Sequence, residues 1–142
     1  SQYLNLEFFE FGTCRREGFP LNHCSPDGFT RDLKDGAEIK CPGSAVHIKY
    51  CMDNVFPKEY HWQGVNYFFI NEKLERLHFI SYRPENRLKP LFVVTITRDS
   101  LLDMGTPKKP NMVKVSDLVE QAEIKSLTMG SAIEKAIDKL SF

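Results

Sequence analysis

The sequence predicts an α+β fold: an antiparallel sheet, a meander of about four to six strands, with C-terminal helices packed on one face and a disulfide-stapled N-terminal loop region. Three observations predict it. Strand-sized apolar runs joined by short polar links fill the middle of the chain, helical periodicity belongs to the last third, and all four cysteines lie in the first third. The 142 residues are expected to form one globular domain, 1–142, long enough to bury a core without metal or disulfides.

The elements follow in order. Tyr3 to Phe11 alternates Leu4, Leu6 and Phe8 against Asn5 and Glu7, then changes parity, which predicts a strand with a bulge near Phe8. Residues 12–36 are poor in aliphatics and rich in turn formers, and Asp35-Gly36 is the pair that two-residue hairpin turns prefer, between Phe29 to Lys34 and Ala37 to Cys41. In Ser44 to Met52, alternation sets Val46, Ile48, Tyr50 and Met52 against Ala45, His47, Lys49 and Cys51, a strand pattern. Val65 to Ile70 and Leu74 to Arg83, linked by Asn71-Glu72-Lys73, read as a hairpin. Leu91 to Arg98 is β-branched enough for a buried central strand.

Asp99 and Ser100 then cap a short helix through Met104, Met112 to Val115 adds a strand, and Ser116 caps a helix with Leu118, Val119 and Ala122 inside. A last helix follows from the Ser131/Glu134 capping-box spacing and the stripe Ala132, Ile133, Ala136, Ile137, Leu140.

Nineteen basic and nineteen acidic side chains give a formal charge of zero, with no basic arm. Nonspecific affinity for nucleic acid comes largely from Lys and Arg on phosphates, so this balance argues for no nucleic acid partner. It also leaves little solubility margin for a free monomer, which favours a complex or homo-oligomer. A membrane-spanning helix needs about 20 apolar residues, and the apolar stretches are strand-sized, so no membrane span is expected.

Cys14, Cys24, Cys41 and Cys51 form an even set confined to one region, which reads as a disulfide framework of unassigned connectivity. That places the protein in a periplasmic or extracellular space as a processed export form, the alternative being reduced thiols in the cytoplasm. Close C-x2-C pairs are absent, so no metal is expected even with His23 and His47 near the cysteines. On a strand, His47 and Cys51 would stand roughly 13 Å apart, too far to form a catalytic pair.

No phosphate-binding glycine loop, nucleophile elbow or H-E-x-x-H motif occurs, and no cofactor is indicated. Phe56, Tyr60, His61 and Trp62 concentrate aromatic surface in an otherwise polar stretch, the composition of a protein-binding hot spot. They equally fit a core stripe if the following strand begins early. The expectation is therefore a non-catalytic protein-binding domain, an inhibitor or immunity-type protein that neutralises a secreted enzyme, with another protein as partner. The alternatives are a hydrolase with a dispersed site drawn from His23, His61 or His78 with Asp53 or Glu59, and a carrier with an apolar pocket of roughly 300 Å³ or more between sheet and final helix.

Overall fold

A computed structural model describes residues 5–140. Its elements are β1 (Cys14–Arg15), β2 (His23–Cys24), β3 (Gly28–Phe29), β4 (Asp35–Lys40), α1 (Ser44–Asp53), a 3-10 turn (Lys58–Tyr60), α2 (His61–Ile70), β5 (Arg76–Tyr82), β6 (Leu91–Thr97), β7 (Leu101–Asp103), β8 (Met112–Lys114) and α3 (Val115–Leu140). The main sheet runs β3-β4-β5-β6, and β1-β2 and β7-β8 form two-stranded ribbons. The class is α+β as expected, but the sheet is mixed. β4 and β5 pair in parallel, from Asp35↔Arg76 to Lys40↔Ser81, while β3-β4 and β5-β6 are antiparallel.

Parallel neighbours need a long crossover, and α1 and α2 supply it. This corrects the meander in two places. Ser44 to Met52 is helical, with His47 and Tyr50 as its buried residues, and Val46, Ile48 and Met52 face outward. The alternation misleads because the inner face carries polar atoms that find partners. His47 Nε2 donates to Lys89 O (2.7 Å), so its Nδ1 accepts the Ser81 hydroxyl (2.8 Å), and a fully buried imidazole is satisfied at both nitrogens. Residues 65–70 are likewise helical. Val65, Tyr67, Phe68, Phe69 and Ile70 are all buried, and so short and continuous an apolar run shows no 3.6-residue period to distinguish it from a strand. Gly64 belongs to this helix; a Cβ there would sit 3.0 Å from Phe56 Cζ, so its absence admits the ring.

Other boundaries also move. Tyr3 and Leu4 of the first expected strand lie outside the described residues, and Phe9 makes a single bridge to Phe29. The expected β3-β4 hairpin exists, but residues 30–34 make its turn, with Leu33 at φ 64°, and Asp35-Gly36 already belong to β4. β6 is an edge strand, not a central one. Leu101 to Asp103 pairs with Met112 to Lys114 where a short helix was expected. The two C-terminal helices are one 26-residue helix, with Ser131 and Glu134 inside it. Val115, Leu118 and Val119 enter the core, α3 packs against α2, and Leu127, Met129, Ile137 and Leu140 are exposed.

Phe29, Phe68, Phe69, Phe79, Phe92, Leu74 and Leu77 fill the core between sheet and helices. Arg98 closes the end of α2: its guanidinium donates to the carbonyls of Phe68, Asn71, Glu72 and Leu74 and lies 5.2 Å over the Phe68 ring. It satisfies carbonyls that a helix terminus leaves open.

At the start of the parallel ladder, buried Asp35 accepts two hydrogen bonds from Arg76 (2.6 and 2.8 Å) and one from His78 Nε2 (2.8 Å). The Arg76 hydrogen bonds hold the Asp35 carboxyl below the usual carboxylate range, against burial and with help from His78. A folded value below the unfolded one stabilises the fold above about pH 4, and that stability is lost as pH falls through the folded value. Asp35→Asn is expected to cost about 2 kcal/mol in urea denaturation at pH 7, since hydrogen bonds to a charged group are removed. The gap between variant and wild type should shrink on acidification below about pH 4; a pH-independent gap would contradict this assignment.

Candidate active site

Strand alternation places Glu38 and Lys40 on one face of β4 and Ile39 on the other, where it is half exposed. The Glu38/Lys40 face lies under α2, so a carboxylate that is 6% exposed sits among polar groups of that helix. Lys40 Nζ is 3.0 Å from Glu38 Oε1. Gln63 Nε2 donates to the same oxygen (3.2 Å), and the Tyr67 hydroxyl donates to Oε2. Gln63 and Tyr67 stand one helical turn apart, and Gln63 Nε2 also donates to the Tyr67 oxygen (3.2 Å).

Asp27 joins from the turn before β3. β3 is two residues long and pairs Gly28 with Ala37 and Phe29 with Gly36, so β4 runs on beyond its partner. Asp27 Oδ2 takes up the Ile39 N–H there (2.7 Å). Continuing the register by one residue sets Asp27 beside Glu38. Lys40 is also 4.7 Å over the Tyr60 ring. Burial acts to lower Lys40, but its hydrogen bond and attraction to Glu38 outweigh that, and the net shift is upward. Lys40 is therefore a fixed positive charge at neutral pH, not a proton acceptor.

Two carboxylates beside an ammonium make a site for a hard cation and an anion together. Among the described residues no three His, Cys, Asp or Glu side chains converge as a metal cage. A cation held by one or two carboxylates, with waters and substrate phosphate completing its shell, is the usual manner of Mg²⁺. The donor set at Asp27 and Glu38 fits that mode.

Sequence reading missed Asp27, Glu38, Lys40, Gln63 and Tyr67. The available signal is the Glu38-x-Lys40 spacing on a strand, a charged pair on one face.

The residues that were expected to bind a partner are placed differently from one another. Phe56 and His61 are buried and stacked, Tyr60 packs on Phe79, and Trp62 is half exposed with Lys125 Nζ 5.7 Å from its ring centroid. His61 Nε2 donates to Phe56 O (3.1 Å), and burial lowers its pKa. Of the expected hydrolytic groups, Asp53, Glu59 and His61 border one cleft of about 750 Å³. Asp53 is tied to Lys49 (2.6 Å) and Glu59 to the Tyr50 hydroxyl (2.8 Å). His23 and His78 lie elsewhere, on β2 and in the Asp35 cluster. That cleft lies against α1 and β6 and not under α3, where the carrier reading put a cavity.

The cysteines correct the stapled-loop expectation, since all four are free thiols. Cys14 and Cys24 face each other across β1-β2. Cys41 precedes α1 and is exposed, while Cys51 lies in its last turn with Sγ 3.6 Å from His47 Nε2. The separation of roughly 13 Å expected for His47 and Cys51 on a strand is thus replaced by i, i+4 contact on a helix. Both His47 nitrogens are occupied, by the Ser81 hydroxyl and the Lys89 carbonyl.

Fold and cluster together define a class, a mixed sheet with a carboxylate-lysine centre on its second strand. Two solved structures share that fold: the alkaline exonuclease LHK-Exo from Laribacter hongkongensis (TM-score 0.69) and LHK-Exo in complex with dAMP (TM-score 0.68). Each is 23% identical over 94% of this chain, and this chain spans 60% of the exonuclease's length. No family model and no curated protein sequence matches the chain.

This likeness overturns the expectation of a non-catalytic inhibitor or immunity protein, and with the free thiols it removes the disulfide-bonded, secreted description. It also overturns the exclusion of nucleic acid. The physical reason is that net charge sums a whole surface and is silent about a local centre of opposed charges.

Burial, and then the neighbouring Cys14, push the Cys24 thiol up to about 12. Iodoacetamide added to native, unreduced protein is expected to modify Cys41 first and Cys24 last, and all four after unfolding. Intact mass and peptide mapping would read this order, and a pair that resists alkylation until reductant is added would contradict the free-thiol assignment.

Proposed function

We propose that the chain is the catalytic core of a metal-dependent nuclease that hydrolyses phosphodiester bonds in nucleic acid. The observation that carries the reading is the Asp27, Glu38 and Lys40 cluster, braced by Gln63 and Tyr67, on a fold like that of an alkaline exonuclease bound to dAMP in one of its structures. Its class agrees with the hydrolase alternative, with a different set of residues.

Asp27 and Glu38 would hold a divalent cation such as Mg²⁺. When bound, such an ion neutralises phosphoryl oxygens and makes water a stronger nucleophile. Lys40 would face a non-bridging phosphate oxygen, where its fixed charge stabilises the negative charge that builds up as water adds to phosphorus and the bond to the leaving sugar oxygen breaks. Gln63 and Tyr67 hold the Glu38 carboxylate still during this, and the half-exposed Trp62 next to Gln63 offers a ring face to a base.

Incubating the protein with end-labelled duplex and single-stranded DNA and RNA, with and without Mg²⁺, tests the reading. Mg²⁺-dependent cleavage is expected, and Glu38→Gln should reduce it about a thousandfold, the scale on which loss of a charge-stabilising group acts. Full activity in Glu38→Gln, or no cleavage of any of these substrates by wild type, would count decisively against it.

A further inference from the structure

Both oxygens of Glu38 are already engaged by protein donors, and they are engaged unequally. A carboxylate oxygen offers two lone pairs. Oε1 receives Lys40 Nζ (3.0 Å) and Gln63 Nε2 (3.2 Å), which fills it, whereas among the described residues Oε2 receives only the Tyr67 hydroxyl. One lone pair on Oε2 remains open.

The hydroxyl that shares Oε2 has little freedom. Gln63 Nε2 donates to the Tyr67 oxygen (3.2 Å), which directs the phenolic proton onto Glu38. The Tyr67 ring is 2% exposed and packs edge-on against Phe29, with centroids 6.5 Å apart and planes at 81°. Gln63 and Tyr67 project from one face of α2, so the two donors move together.

We infer that Tyr67 is a positioning residue: by occupying one lone pair of Glu38 Oε2 it fixes the direction of the other, and so sets the point at which Glu38 binds the divalent cation. This rests on the cation-dependent reading of the site. The hydroxyl touches neither cation nor substrate and acts through Glu38 alone. Groups that orient a metal ligand from behind typically change metal affinity by about 10- to 100-fold when removed.

Tyr67→Phe keeps the ring on Phe29 and deletes the donor. Mn²⁺ titration followed by electron paramagnetic resonance is expected to show about tenfold weaker binding than wild type. Cleavage kinetics at saturating metal should show kcat reduced and KM for DNA unchanged. Equal Mn²⁺ affinity in wild type and Tyr67→Phe would overturn the inference. A second measurement needs no variant: in wild type carrying tyrosine labelled with ¹³C at Cζ, saturating Mg²⁺ should shift the Tyr67 resonance, and an unmoved resonance would also overturn it. Failure of the underlying reading is distinguishable, because wild type would then bind Mn²⁺ no better than Glu38→Gln.

Discussion

The parallel pairing of β4 with β5 is the constraint on which the rest depends, and the Asp35–Arg76–His78 cluster fixes its register. Asp35 and Arg76 are partners at the first rung, and His78 stands two residues further along the same face of β5. A slip of one residue would reverse the faces of a whole strand. Here it would also leave a buried carboxylate unpaired, a far larger penalty than an exposed ion pair could impose. Glu38 lies three residues and Lys40 five residues beyond this anchor on the same strand, so the register that seats Asp35 also decides that Glu38 and Lys40 face α2.

The crossover converts that register into a site. α1 docks by an imidazole held between Ser81 of β5 and the Lys89 carbonyl, and α2 is closed by Arg98 on its terminal carbonyls. Both helices thus reach the sheet through polar groups of β5, of β6's end and of the loop between them. With α2 held at its end by Arg98 and admitted close to Phe56 by Gly64, Gln63 and Tyr67 fall over Glu38. The rigidity is appropriate to a centre where a misplaced ligand would cost rate steeply.

The strands β6 and β8 and the start of α3 are legible in the sequence because each buries one face and exposes another or is rich in β-branched residues, whereas β5, buried on both faces, is legible as a strand-sized run after a short polar link. The sequence hides α1 and α2 for different reasons. α1 carries apolar residues outward and a histidine inward, while in α2 the buried residues run without a break from Tyr67 to Ile70 and the exposed position is itself an aromatic, Trp62. The cluster was hidden by the same inversion. Ile39 looks like the inner residue of β4 and Glu38 like the outer one, yet Ile39 is half exposed and Glu38 is 6% exposed. Glu38 is compensated there by Lys40 on its own strand and by two side chains distant in sequence, Gln63 and Tyr67. The cysteine count misled in a related way, since Cys14 and Cys24 do meet across a ribbon, but as thiols that the core surrounds.

The local charge of the proposed centre explains why a neutral chain and a polyanionic substrate are compatible. Asp27 and Glu38 outnumber Lys40 by one, and Lys40 is already committed to Glu38. A phosphate approaching that arrangement alone meets net repulsion. A divalent cation held by the two carboxylates would reverse the sign of the proposed centre and leave the Lys40 ammonium as a further positive charge beside it. Under the proposed reading, affinity for phosphate at this point would depend on the bound ion more than on a basic surface, and a total of nineteen positive and nineteen negative side chains carries no information against it.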